Sequence, residues 1–174
     1  MRKICIYLII NCLWLPSLFA QHLNQVITDT TLHTDILIDT CNRDGLAGTV
    51  FGAFYQQEYG AYSPDAGIIQ QIGQQLNNHN LTIVMGSWCS DSQEQVPRMY
   101  KILDQLHFPG NQVTLICVDR KKKTIHAGIQ DLGIQLVPTF IFYKDCTEAG
   151  RITETPSETL EKDILGIIQT LNNE

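Results

Sequence analysis

The chain has 174 residues, of which 44% are hydrophobic and 17% charged, and it carries a formal net charge of −6 at pH 7. That is enough apolar material for one core and excludes general disorder. The acidic balance argues against nucleic acid as a partner.

Arg2-Lys3, an apolar stretch from Ile4 to Trp14, and Leu15-Pro16-Ser17-Leu18-Phe19-Ala20 before the polar Gln21-His22 form the pattern of a secretory signal peptide over residues 1–20. The greasy run is shorter than the roughly 20 apolar residues of a spanning helix, so no membrane span is expected after cleavage at Ala20. Cys12 does not read as a lipid-attachment site, because Ile10-Asn11 precede it where small residues would be expected. The expectation is export to the bacterial periplasm or cell envelope, with a net charge of −8 once Arg2 and Lys3 are removed. Four cysteines then remain, Cys41, Cys89, Cys117 and Cys146. Their wide, irregular spacings do not look like a disulfide framework, which leaves one reactive thiol as plausible as structural pairing.

Residues 21–58 show weak periodicity and are left as an N-terminal extension of uncertain structure, ahead of a domain over residues 59–174. Ser63-Pro64-Asp65 predicts a helix start, with Ile68, Ile69, Ile72 and Leu76 on its apolar face and the cluster from Asn77 to Asn80 as its stop. Leu81-Thr82-Ile83-Val84-Met85-Gly86 reads as a strand buried on both faces. Trp88 and Cys89 follow, and a helix begins near Ser90 with Val96, Met99, Tyr100, Leu103 and Leu106 on one side. A second buried strand runs from Val113 to Asp119, and strand, helix, strand in this order implies a parallel crossover. Arg120-Lys121-Lys122-Lys123 reads as a solvated loop. A helix is predicted around Ile125 to Leu132, a strand from Leu136 to Tyr143 with Pro138 near its start, a turn from Asp145 to Gly150 and a short antiparallel strand from Arg151 to Thr155. Ser157 is the expected cap of a last helix through Leu160, Ile164, Ile167, Ile168 and Leu171. The fold class is α/β, a central mixed sheet flanked by helices, with no repeat.

A cysteine where a buried strand gives way to a helix sits beside the unpaired N–H groups of the first turn and the positive end of the helix dipole. That position favours thiolate, the nucleophilic form, whereas the negative charges of Asp91 and Glu94 oppose it. Backbone donors at bonding range are expected to outweigh screened surface charges. Cys117 reads as core. Cys146 reads as exposed, free or paired with Cys41. His107 and His126 have no companions at metal-ligand spacing, so neither a metal nor a cofactor is expected.

These residues resemble the thioredoxin superfamily: a buried strand ending in Trp88-Cys89, Pro97 eight residues beyond the cysteine, a strand ending in Asp119, and the strand start Val137-Pro138-Thr139. The resemblance covers about residues 81–172, or from Tyr59 if the preceding helix is included. It implies a thioredoxin-like sandwich in which Pro138 is cis and lies against the cysteine. It also implies that the Val137 backbone pairs with a bound peptide or thiol substrate, that Trp88 shields the thiol, and that Pro97 bends the helix. The motif Cys89-Ser90-Asp91-Ser92 departs from the family pattern, because Ser92 stands where a resolving cysteine is usual and no internal disulfide can form there. The buried acid that many members place six residues before the nucleophile is replaced by Ile83, and the accompanying lysine by Leu115. Proton transfer would then use water, substrate or Ser92.

Two functions follow from the resemblance. One is a monothiol thiol–disulfide oxidoreductase or isomerase, with Cys89 and Ser92 catalytic and Trp88, Val137 and Pro138 binding substrate. Its partners would be protein disulfides or low-molecular-weight thiols, and an external thiol or reductant would resolve the mixed disulfide. The other is a retired enzyme that binds a protein or peptide in the groove beside Pro138. A third and weaker reading, a peroxide-reducing thiol, needs a polar pocket around the sulfur, and Arg98 is the one arginine close in sequence.

Overall fold

The structure, a computed structural model, describes residues 22–172 apart from residues 32 and 77. The expected signal peptide lies outside them. Residues left unassigned by the sequence open the sheet: β1 (Gln25–Asp29) pairs antiparallel with β2 (Thr34–Cys41), and β2 pairs antiparallel with β4 (Val113–Cys117). The sheet has six strands in the order β1-β2-β4-β3-β5-β6, where β3 is His79–Met85, β5 is Thr139–Lys144 and β6 is Thr147–Thr153. Only the β3–β4 pair is parallel, as the crossover reading required; β3–β5 and β5–β6 are antiparallel. This is an α/β sandwich, a mixed sheet flanked by helices, as expected, and its sheet begins well before residue 59.

Side chains alternate across the sheet, so each central strand feeds two cores. From β3 and β4, Leu81, Ile83, Met85, Leu115 and Cys117 enter the larger core, which the helices complete. Val84, Ile116 and Val118 enter a smaller one, closed by Ile129 and Val137 from the segment that follows β4. Both faces are covered, which accounts for the unbroken apolar run of β3. Each fully buried aliphatic side chain here contributes roughly 1.5–3 kcal/mol of transfer free energy.

The helices are α1 (Arg43–Ala47), α2 (Gly52–Ala61), α3 (Ala66–Gly73), α4 (Ser90–Gln105) and α5 (Leu160–Asn172). Helix α3 starts later than its sequence signal, because Asp65 is the cap: its side chain accepts from Gly67 N at 2.8 Å and Ile68 N at 3.0 Å. Ser63-Pro64 stays outside the helix, and Asp65 N donates to the buried Glu161 carboxylate at 3.1 Å. Helix α5 likewise begins beyond Ser157. Thr159 Oγ1 accepts from Lys162 N at 3.3 Å, while Ser157 N donates to Asp163 Oδ2 at 2.6 Å, so Ser157 serves as a backbone donor to the helix start and not as its cap.

The predicted helix around residues 125–132 is absent; only a single 3-10 turn, Gln130–Leu132, forms there. Its N–H groups are taken by another partner. The fully buried carboxylate of Asp39, on β2, accepts from Ile125 N at 2.8 Å, His126 N at 2.9 Å and Ala127 N at 3.1 Å. Gly133 then reverses the chain at φ +61°, a backbone conformation that glycine adopts without a Cβ penalty. The β5–β6 hairpin closes through Asp145 and Cys146, both at positive φ, which matches the twist demanded of a two-residue turn.

Candidate active site

The apolar pattern that makes β3 a buried strand stops at Met85, and four residues carry the chain to α4. Each end of that turn is tied down. Cys89 N donates to Gly86 O at 2.9 Å, Gly86 N donates to Ser92 Oγ at 3.2 Å, and the Gln93 side-chain amide donates to Ser87 O at 2.9 Å. From β2, across β4 in the sheet, Leu37 N donates to Ser87 Oγ at 2.9 Å. The junction is therefore fixed before any ligand arrives, as a site on rigid elements requires.

Cys89 occupies the N-cap position of α4 but makes no capping hydrogen bond through its side chain. Its thiol donates instead to the carbonyl of Val137, with Sγ to O at 3.2 Å, and the residue is half-buried. Val137 is joined to Pro138 by a cis peptide bond. The structure thus brings Cys89, Val137 and Pro138 together across 48 positions of sequence. Trp88 joins them: its indole N–H donates to Val118 O at 2.9 Å, and its ring packs with Cys89 on the smaller core. A Cβ at Gly86 would stand 2.5 Å from the Trp88 ring, so the indole lies flat over a position that only glycine leaves open.

Ser92 is fully buried, and the hydrogen bond its hydroxyl shows is with Gly86 N. Ser92 thus satisfies a backbone N–H at the turn. Ile83 and Leu115 lie in the larger core among apolar neighbours, so neither position offers the thiol a proton relay. Arg98 is held by Glu58 at 2.7 Å and Glu94 at 2.5 Å, which commits its charge to the α2–α4 interface and withholds it from a peroxide pocket. Pro97 is buried inside α4, with no N–H to give to the preceding turn.

Two neighbours of the site were not legible as such. Asp39 came from the unassigned segment; it holds residues 125–127 against β2. Burial pushes its carboxyl up, but the backbone donors of His126, Ala127 and Ile125 outweigh that and hold it below the usual carboxylate value. The basic loop after β4 is the second. Arg120 lies over the Trp88 ring, its guanidinium carbon 5.3 Å from the centroid, and Lys122 Nζ is 6.0 Å from the same ring.

The other cysteines lie elsewhere. Cys41 and Cys117 are both buried and free in the larger core, on diagonal positions of the β2–β4 pair. Cys146 is exposed and free at the β5–β6 turn, two strands beyond β4 in the sheet and so remote from Cys41. Among the described residues no helix is long and apolar enough to cross a membrane.

No family model matches the chain, and no curated protein does. Among solved structures it is similar to a protein of unknown function, PA1234, from Pseudomonas aeruginosa, at 15% identity and a TM-score of 0.49, covering 68% of this chain and 81% of that one. It is similar to an HIV epitope-scaffold protein at 14% identity and a TM-score of 0.46, covering 70% and 82% of the two chains. A mutant thioredoxin from Halobacterium salinarum matches at 16% identity and a TM-score of 0.34, covering 58% of this chain and 80% of that one. At that distance the function is read from the site itself.

Proposed function

We propose that the protein is an extracytoplasmic monothiol thiol–disulfide exchange protein acting through Cys89. One observation carries the reading: a half-buried thiol at the start of α4 meets the carbonyl that precedes cis-Pro138, at 3.2 Å, with no second cysteine beside it among the described residues. Such an arrangement sets the sulfur beside backbone that a ligand displacing the thiol from Val137 O could pair with.

The Cys89 thiolate attacks one sulfur of a substrate disulfide. A bond forms between Sγ and that sulfur, the substrate S–S bond breaks, and the leaving thiolate takes up a proton from water. An external thiolate then attacks the substrate-side sulfur of the mixed disulfide, releasing Cys89 as thiolate and leaving a new disulfide on the substrate. Two electrons are exchanged between thiols and disulfides, and the protein returns unchanged. With Ser92 in place of a resolving cysteine, the cycle suits isomerisation and removal of thiol adducts. Trp88 and the Val137 backbone would hold the substrate.

The test is mixed-disulfide formation by the chain from Gln21 onward. Cys89→Ser is expected to abolish exchange and trapping while the fold persists. Full exchange by that variant would refute the thiol reading, and partners that bind Cys89→Ala and resist reductant would point to a binding groove beside Pro138.

A further inference from the structure

On a chain with more acids than bases, the four consecutive cations 120–123 stand out, and the fold carries them to the rim of the thiol site. The loop that bears them is built. Asp119 Oδ1 accepts from Lys121 N and Lys123 N, both at 2.8 Å, and Asp119 N donates to Lys123 O at 2.9 Å. Just beyond, Asp39 fixes residues 125–127. The carboxylates of Asp119 and Asp39 each bind backbone N–H groups through Oδ1, with Asp39 Oδ2 buried and without a partner among the described residues, while Arg120 and Lys122 lie at the Trp88 ring.

A cavity of about 440 Å³ continues from this rim. Its lining includes the cations Lys122 and Lys123, the polar Gln130 and Gln135 and the apolar Ile129 and Ile134, and no acidic residue. Ile129 and Ile134 belong to the same apolar cluster as Trp88, Cys89 and Val137, so the cavity and the thiol border one cluster. The acids on the α4 side of the thiol are Asp91, half-buried in the first turn, and Glu94, paired with Arg98 at 2.5 Å. The field across the cleft is therefore polar in the literal sense, positive on the loop side and negative on the helix side.

We infer that Cys89 acts on sulfur compounds whose flanking groups are carboxylates, seated with their negative charge against Arg120, Lys122 and Lys123. This rests on the thiol-exchange reading and assigns its substrate class. Guanidinium and ammonium groups beside a low-dielectric wall attract carboxylates and raise encounter rates, an effect that salt removes. The carboxylates can belong to a small thiol compound or to an acidic peptide segment, and the experiment separates the two.

The chain from Gln21 onward is reacted at low ionic strength with anionic glutathione disulfide, neutral hydroxyethyl disulfide, cationic cystamine and an acidic peptide disulfide too long for the cavity. The rate at Cys89 is read by mass spectrometry. Glutathione disulfide is expected to react roughly tenfold faster than cystamine, with the gap closing near about 0.5 M salt. Combining Arg120→Glu, Lys122→Glu and Lys123→Glu should reverse that order and leave the neutral probe unchanged; the corresponding glutamine variants should abolish the preference if the reversed charges perturb folding. A faster acidic peptide than glutathione disulfide assigns the carboxylates to a peptide, and the reverse assigns them to a small thiol compound. Equal rates for anionic and cationic probes, or a charge reversal that slows the neutral probe as much as the anionic one, overturn the inference. If the neutral probe fails to react with Cys89 at all, the exchange reading falls with it.

Discussion

Asp39 is the contact whose loss has the most predictable consequence. It holds Ile125, His126 and Ala127 through one oxygen at 2.8, 2.9 and 3.1 Å, from a fully buried position with φ 66°. Hydrogen bonds to a charged acceptor contribute about 1.5 kcal/mol each at the low end, and part of that is offset by the cost of burying the carboxylate, so losing all three should cost about 3 kcal/mol. Alanine in the left-handed backbone region adds about 1 kcal/mol. At roughly 3 °C per kcal/mol for a chain of this length, Asp39→Ala should lower Tm by about 12 °C, measured by calorimetry or circular dichroism near neutral pH. Asp39→Asn keeps an acceptor oxygen and tolerates the backbone, and should show about half that loss. The pH dependence has a definite sign. Because the folded carboxyl lies below its unfolded value, its contribution is complete above the unfolded pKa near about 4 and is lost as pH falls below that through the folded value. The gap between wild type and Asp39→Ala should therefore be flat at neutral pH and narrow in acid. A Tm change under about 3 °C for the alanine variant, or a gap that stays constant into acid, would refute the claim that an ionised carboxylate organises this loop.

Two further expectations follow from the site. Gly86→Ala puts a methyl group 2.5 Å from the Trp88 ring, which must swing out and release Val118 O. The change should cost about 1–3 kcal/mol and red-shift tryptophan emission, and Trp88 is the sole tryptophan of a chain starting at Gln21; unshifted emission would show that the indole does not lie where described. Cysteine reactivity should divide by position. The neighbouring Cys41 thiol and then burial push the Cys117 thiol well above its usual value, and Cys41 is itself enclosed in the same core. Native-state alkylation should mark Cys146 and Cys89 and reach Cys41 and Cys117 only after unfolding, with peptide mass spectrometry as the readout.

What the sequence determined by itself is local. The apolar run through β3, the amphipathic face of α4 and the Trp88-Cys89 junction could be read because period and composition act over a few residues. Proline before Thr139 marked the start of β5 for the same reason. The helix starts fell beyond the expected caps at Ser63 and Ser157, and at the first of them the distant Glu161 carboxylate holds Asp65 N. Tertiary structure alone decided the rest. The strands β1 and β2 have weak patterns because their stability comes from pairing, β2 with β4 and β1 with β2. The predicted helix after β4 gave way because Asp39, 86 positions upstream of Ile125, competes for its N–H groups. A stretch of four cations looks solvated in any window of sequence. Only the sheet order, which sets the end of β4 beside the end of β3, places those charges against Trp88 and the thiol, since electrostatic and hydrogen-bond partners are chosen by distance in space and not along the chain.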